Sequence, residues 1–165
     1  MFLEQFKTVK LKKYSNVQME FIAGTANILP GMLLAFNAAG QVIPHNKAGE
    51  IAFPMFATED FLQGKGLGQY YKAGDLVSVW VPYRGDWVYG LLGPDMICNQ
   101  YSYLESNGYG YLRPVNLGLT ESGGISAENS VIGIAMEYKD LYDVTVTESS
   151  KFPASETPYI SVMIM

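Results

Sequence analysis

A chain of 165 residues, 48% hydrophobic and 16% charged, can bury a core of its own and lies outside the composition of disordered chains. Its net charge of -5 argues against a nucleic-acid partner, because phosphate binding needs a concentrated cationic surface. The single cysteine, Cys98, excludes an internal disulfide, and the single histidine, His45, excludes a histidine-rich metal site.

Taken in chain order, residues 1–16 read as a basic arm. Lys7, Lys10, Lys12 and Lys13 against Glu4 give residues 1–14 a balance of +3 and leave -8 for the remainder. Such an arm suits an acidic partner surface, and its four lysines are the candidate contact residues. Lysines interrupt the apolar run that a signal peptide requires, and no run approaches the ~20 apolar residues of a membrane helix. A soluble chain with no membrane partner is expected.

From residue 17 onward the pattern is β. Strands are expected at 17–23, 32–36, 51–57, 75–83, 87–92, 109–112, 131–137, 144–147 and 159–165, with a short helix around 59–63. Segment 75–83 alternates Leu76, Ser78 and Trp80 against Val77, Val79 and Val81, as a strand with one well-buried face does. Segment 87–92 is expected to return beside it as a hairpin across Pro82-Tyr83-Arg84-Gly85-Asp86. Seventeen glycines and eight prolines provide the turns that many short strands need. The expected fold is all-β, a compact barrel-like or sandwich-like domain with little helix.

The chain states part of this architecture twice. PGMLLAFNAAGQVIP (30–44) and YSYLESNGYGYLRP (101–114) align at an offset of 70, matching Leu34, Asn37, Gly40 and Pro44 to Leu104, Asn107, Gly110 and Pro114. Four identities in about fifteen columns exceed the roughly one expected from background composition. Phe56-Ala57-Thr58-Glu59 then recurs as Ile134-Ala135-Met136-Glu137, displaced by 78, with the extra residues placed in LTESGGIS (119–126). Each copy ends in a hairpin pattern, DLVSVWV…DWVYGLL and DVTVT…YISVMIM. The domain organisation expected is a basic arm at 1–16 and one β-rich domain at 17–165, built from pseudo-repeats at about 28–92 and 99–165.

Residues that could carry chemistry are few. His45 would have to serve any Ser/His or Cys/His catalysis, yet it sits in a turn signal, Pro44-His45-Asn46-Lys47. Gly64-Lys65-Gly66-Leu67-Gly68 matches neither phosphate-binding fingerprint. Arg84-Gly85-Asp86 is an RGD tripeptide that a turn explains, and Glu59-Asp60, adjacent on a strand, point apart. No catalytic, cofactor or metal site is expected. Tyrosine is the unusual component, with twelve in all, clustered at Tyr101, Tyr103, Tyr109 and Tyr111 and at Tyr70-Tyr71. Such residues suit a protein interface or a sugar-stacking platform.

The order ILPGMLL…GQVIP, FPMFATED, YKAGDLVSVWVP…GDWVY, VIGIAME and a terminal ISVMIM resembles the decoration, or cement, proteins of tailed-bacteriophage heads, from about Ile22 onward. The resemblance implies a homotrimer on the outer capsid surface of the virion, made in the host cytoplasm, that clamps neighbouring major capsid protein subunits. It carries over no site residues. The alternative is a carbohydrate-binding or host-adhesion module of a phage tail or fibre. A β-rich hydrolase working through His45 or the acidic pairs ranks third.

Overall fold

A computed structural model describes residues 8–14, 16–115, 130–142 and 158–165. Among these residues lie thirteen short strands: β1 Lys10–Lys12, β2 Val17–Ile22, β3 Leu34–Phe36, β4 Val42–Pro44, β5 Phe56–Ala57, β6 Leu76–Val81, β7 Trp87–Leu91, β8 Ile97–Cys98, β9 Tyr103–Ser106, β10 Leu112–Pro114, β11 Gly133–Ala135, β12 Lys139–Asp140 and β13 Tyr159–Ile164. The expected short helix is one 3-10 turn, Phe61–Gln63, capped by the Asp60 side chain. The fold is all-β and sandwich-like. Antiparallel sheets run β1-β7-β13-β11-β9-β10, β2-β6-β5, β3-β4 and β8-β12, and none of them closes into a barrel.

Pairing registers repeat through the chain. In β3-β4, Leu34 faces Pro44 and Phe36 faces Val42; in β9-β10, Leu104 faces Pro114 and Ser106 faces Leu112, each displaced by 70. In β5-β6, Phe56 faces Trp80 and Ala57 faces Val79. Their counterparts in β11-β13 are Ile134 with Met163 and Ala135 with Val162, displaced by 78 on one strand and 83 on the other. A bridge joins Leu33 to Phe56 where Tyr103 pairs Ile134. The strand order β2-β6-β5-β3-β4 is therefore the order β7-β13-β11-β9-β10 again. In each unit one parallel bridge, Ala23 to Val42 or Leu92 to Leu112, ties the last strand back to the first.

The two tight hairpins form for the same local reason. Asn37 Oδ1 accepts the N–H groups of Ala39 and Gln41, each at 3.0 Å, and Asn107 Oδ1 accepts those of Tyr109 and Tyr111 at 2.9 and 3.2 Å. An Asn side chain that holds its own turn in this way stands in for a backbone turn bond. Gly40 and Gly110 follow at φ 74° and 79°, a region open to glycine and costly for other residues.

Three expectations need correction. Strands β6 and β7 are not a hairpin: β6 is flanked by β2 and β5, and β7 by β1 and β13, so both edges of each are taken. The chain turns a corner between sheets at Tyr83–Asp86, where the buried Asp86 carboxylate accepts the Tyr83 N–H at 2.8 Å and the Tyr14 N–H at 2.7 Å. Strand β7 is consequently the counterpart of β2 and opens the second unit, so the expected repeats at about 28–92 and 99–165 shift: the first runs from β2 to β6 and the second starts at β7. Segment 75–83 is also buried on both faces, Val77, Val79 and Val81 in one core and Trp80 in the other. Strands expected at 51–57 and 109–112 shrink to β5 and shift to β10, while 144–147 and the insertion at 119–126 lie outside the described residues.

Each core borrows side chains from the other unit. Leu33, Phe56 and Trp80 of the first unit fill the cluster built around Leu104, Leu112 and Val162. In return Tyr89, Leu91 and Tyr159 of the second unit fill the cluster around Val42, Val77 and Tyr71. Cys98 is buried in the former, which pushes its thiol up to about 11 and suits a packing role rather than a nucleophilic one.

The Gly110 turn is packed and the Gly40 turn is not. A Cβ on Gly110 would lie 2.8 Å from Pro44 Cβ, whereas one on Gly40 meets nothing within 4 Å. Gly40→Ala should therefore cost about 1 kcal/mol, the left-handed penalty alone, and Gly110→Ala about 3 kcal/mol because overpacking adds to it. Urea unfolding of both variants checks the ranking, and equal losses would contradict the packing described.

Candidate interaction surface

The basic segment is tied to the sheet. Strand β1 pairs with β7, Lys10 opposite Val88 and Lys12 opposite Trp87, and Val9 is fully buried in the core. The Val9 N–H donates to the Glu59 carboxylate at 3.2 Å, and Tyr89 donates its N–H to the Val9 carbonyl at 2.8 Å. The expectation of an arm standing apart from the fold is thereby corrected for residues 8–14. A core position for Val9, fixed by two backbone bonds, draws the lysines onto an edge strand.

Those lysines are partly engaged. Lys12 Nζ lies 3.9 Å from the centre of the Trp87 ring, a contact worth about 0.5–1 kcal/mol at an exposed site. Lys10 Nζ donates to Gln18 Oε1 at 2.7 Å and Lys13 Nζ to Asn16 Oδ1 at 3.5 Å. Burial holds the Lys10 ammonium below its ordinary value, reinforced by Lys13 and opposed by Glu59. Lys12 and Lys13 remain exposed, and Lys7 lies outside the described residues.

The other candidates resolve into structural parts. His45 is buried, its Nδ1 2.7 Å from Ser106 Oγ and its Nε2 3.4 Å from the Ile51 carbonyl. The neutral tautomer with its proton on Nε2 satisfies both contacts, while Ser106 Oγ also accepts the Gly108 N–H at 3.1 Å. Histidine and serine thus meet as in a nucleophilic dyad, but both are closed to solvent and every polar atom of the pair has a structural partner. Lys65 Nζ reaches the Tyr70 carbonyl at 2.7 Å and Asp75 at 3.3 Å, so the glycine-rich segment holds its lysine inward. The acid of the RGD tripeptide is the buried Asp86 of the sheet corner. Glu59 and Asp60 diverge, one to Val9 and the other to the 3-10 turn. Among the described residues no group of three or more His, Cys, Asp or Glu side chains could hold a metal ion.

A cross-strand ion pair marks one difference between the units. Glu105 is buried opposite Arg113, whose Nε and Nη2 both lie 2.8 Å from its Oε1. The corresponding pair in the first unit is Ala35 with Ile43.

Exposed apolar side chains form the remaining surface. Trp80, Tyr71 and Phe56 are core residues, and Tyr89 stacks on Tyr159 with ring centres 4.9 Å apart. Tyr101, Tyr103 and Tyr109 of the noted cluster stand in solvent, with Tyr111 half-buried. Ile22, Phe36 and Leu76, which no sequence pattern marks, are also exposed, on β2, β3 and β6. Phe36 meets Phe21 edge to face at 4.9 Å.

No family model matches the chain, and no curated protein is significantly similar to it. Among solved structures the chain is similar to the N base of the head fiber gp8.5 of bacteriophage phi29, with a TM-score of 0.50 and 14% identity. The match covers 90% of this chain and 93% of that one. It is a likeness of fold, and it extends over nearly the whole of both chains.

Removing residues 1–14 takes Val9 out of the core and should lower unfolding free energy by about 3 kcal/mol. Replacing Lys10, Lys12 and Lys13 together by Gln should change it by no more than about 1 kcal/mol. Denaturant unfolding separates the two, and a truncated chain as stable as the full one would show that β1 is only a surface strand.

Proposed function

We propose that this chain is a structural protein of a bacteriophage virion, without catalytic activity. In this reading it binds the outside of the capsid as a homotrimer and stabilises the shell by clamping neighbouring major capsid protein subunits. The observation that carries the proposal is the fold shared with a phage head fiber base across 90% of this chain. The order of sequence segments that resembles capsid cement proteins supports it independently.

Physical chemistry fits the role. A capsid offers many equivalent weak sites, and three copies joined in one trimer make the second and third contacts intramolecular, so avidity exceeds single-site affinity by ~10²–10⁴. A protein that binds only the assembled lattice stabilises that state by linkage. The exposed Lys12 and Lys13 on the β1 edge offer a cationic strip to an acidic shell while the rest of the chain is acidic.

Mixing the purified chain with expanded capsids assembled without it tests the proposal. Regular density on the outer surface by cryo-electron microscopy is expected, together with a higher temperature of capsid disruption. Bare capsids at micromolar protein would overturn it.

A further inference from the structure

The contact between the two units is one-sided. The Gly110 turn of the second unit seats on the β3-β4 hairpin of the first: Leu33 donates its N–H to the Gly110 carbonyl at 2.9 Å, and Gly110 donates to the His45 carbonyl at 3.0 Å. Nearby, Leu91 donates its N–H to the Gly31 carbonyl at 3.1 Å, and the Tyr159 hydroxyl donates to the Pro30 carbonyl at 2.8 Å. A two-fold relation between the units would make each contact twice. It does not: the repeat counterpart of Gly110 is Gly40, whose turn touches nothing that a Cβ would meet, and whose N–H closes its own turn on the Asn37 carbonyl at 3.0 Å. The packing is head to tail, so among the described residues one socket and one plug at the corresponding positions remain open on each chain, with Tyr101 where the internal socket has Gly31.

Their chemistry matches that of an interface. Leu91, Tyr159 and Leu33 are buried at the joint, and their counterparts by the register are Ile22, Leu76 and Tyr103, exposed by 42%, 39% and 47%. Gly31 of the socket corresponds to Tyr101, which is 64% exposed. The polar pair across the joint, His45 with Ser106, corresponds to Val115 and Phe36, an apolar pair with the phenylalanine half exposed. Most positions that the joint buries therefore carry exposed or half-exposed apolar side chains on the two open faces, the exceptions being Glu20 for Tyr89 and Gln100 for Pro30.

We propose that two copies of this chain join head to tail, the Ile22, Phe36 and Gly40 face of one seating on the Tyr101, Tyr103 and Val115 face of the next. The contact repeats between chains the joint that each chain already makes within itself. Successive contacts of this kind close into a ring or run on as a filament. Only closure at three copies rests on the homotrimer proposed above.

Full-length Ile22→Glu and Tyr103→Glu each spoil one face and leave the other intact. Light scattering should find the unmodified chain oligomeric, each variant monomeric with a circular dichroism spectrum like that of the parent, and an equimolar mixture of the two dimeric and no larger. The dimer is the signature of a heterologous joint, since one intact plug meets one intact socket. An unmodified chain that is monomeric at micromolar concentration would overturn both this contact and the homotrimer. Variants that keep the parent's size, or a mixture that stays monomeric, would overturn the contact and leave the homotrimer standing. If a glutamate variant fails to fold, Ile22→Cys mixed with Tyr101→Cys replaces it: a disulfide between copies is expected under oxidation, Cys98 being buried, and its absence would overturn the contact.

Discussion

The seating of the Gly110 turn on the first unit's hairpin is the constraint on which the rest of the molecule depends. It brings two backbone groups, the Leu33 N–H and the Gly110 carbonyl, to 2.9 Å in a place that water does not reach. Buried backbone groups must find partners, and only a residue without a side chain lets the turn approach this closely to Pro44. Once the turn is seated, Leu33 and Phe56 fall into the second unit's core, while Leu91 and Tyr159 fall into the first.

That exchange packs two similar five-strand units into each other. A unit of some sixty residues buries a modest fraction of its surface and is only marginally stable alone. Each fully buried large side chain contributes about 1.5–3 kcal/mol, an upper figure because unfolded chains are partly collapsed. Borrowing three such residues in each direction therefore changes stability by as much as a domain's whole margin. Strand β1 adds to the second unit alone, and its counterpart position beside β2 holds no described strand. The two units thus differ at one edge as well as at the joint.

Much of this was legible in the sequence, for identifiable reasons. Asn37 with Gly40 and Asn107 with Gly110 are bound to their positions by turn geometry, so the offset of 70 survived in the residues themselves. Phe56-Ala57 and Ile134-Ala135 were visible because both lie in central strands with buried side chains. The counterpart of β2 was invisible because VQMEFI and WVYGL match at no position that the register aligns, one facing solvent and the other a core. Alternation in 75–83 and 87–92 announces strands but not which neighbour each takes, and nearness in sequence suggested a hairpin that full edges forbid. Strand β1 was hidden by its lysines, which read as an arm although Val9 anchors them. Of the exposed faces, the one bearing Tyr101 and Tyr103 was marked by its tyrosines, but Ile22, Phe36 and Leu76 were not, since their exposure belongs to the packing of the two units and not to either strand.

Function follows from the same economy of parts. His45 and Ser106, a pair with the look of chemistry, serve as a bolt across the joint, while Asp60, Asp86 and Glu59 cap a turn or bond backbone amides and Glu105 pairs with Arg113. What the fold offers outward is surface: a lysine-bearing edge, tyrosines and two apolar faces. That surface is what the proposed role in an assembly would use. All of this requires the two units to be one cooperative structure, and differential scanning calorimetry at a concentration where the chain is monomeric tests that requirement most directly. The account predicts a single transition whose calorimetric and van't Hoff enthalpies agree. Two resolved transitions, one for each unit, would contradict it.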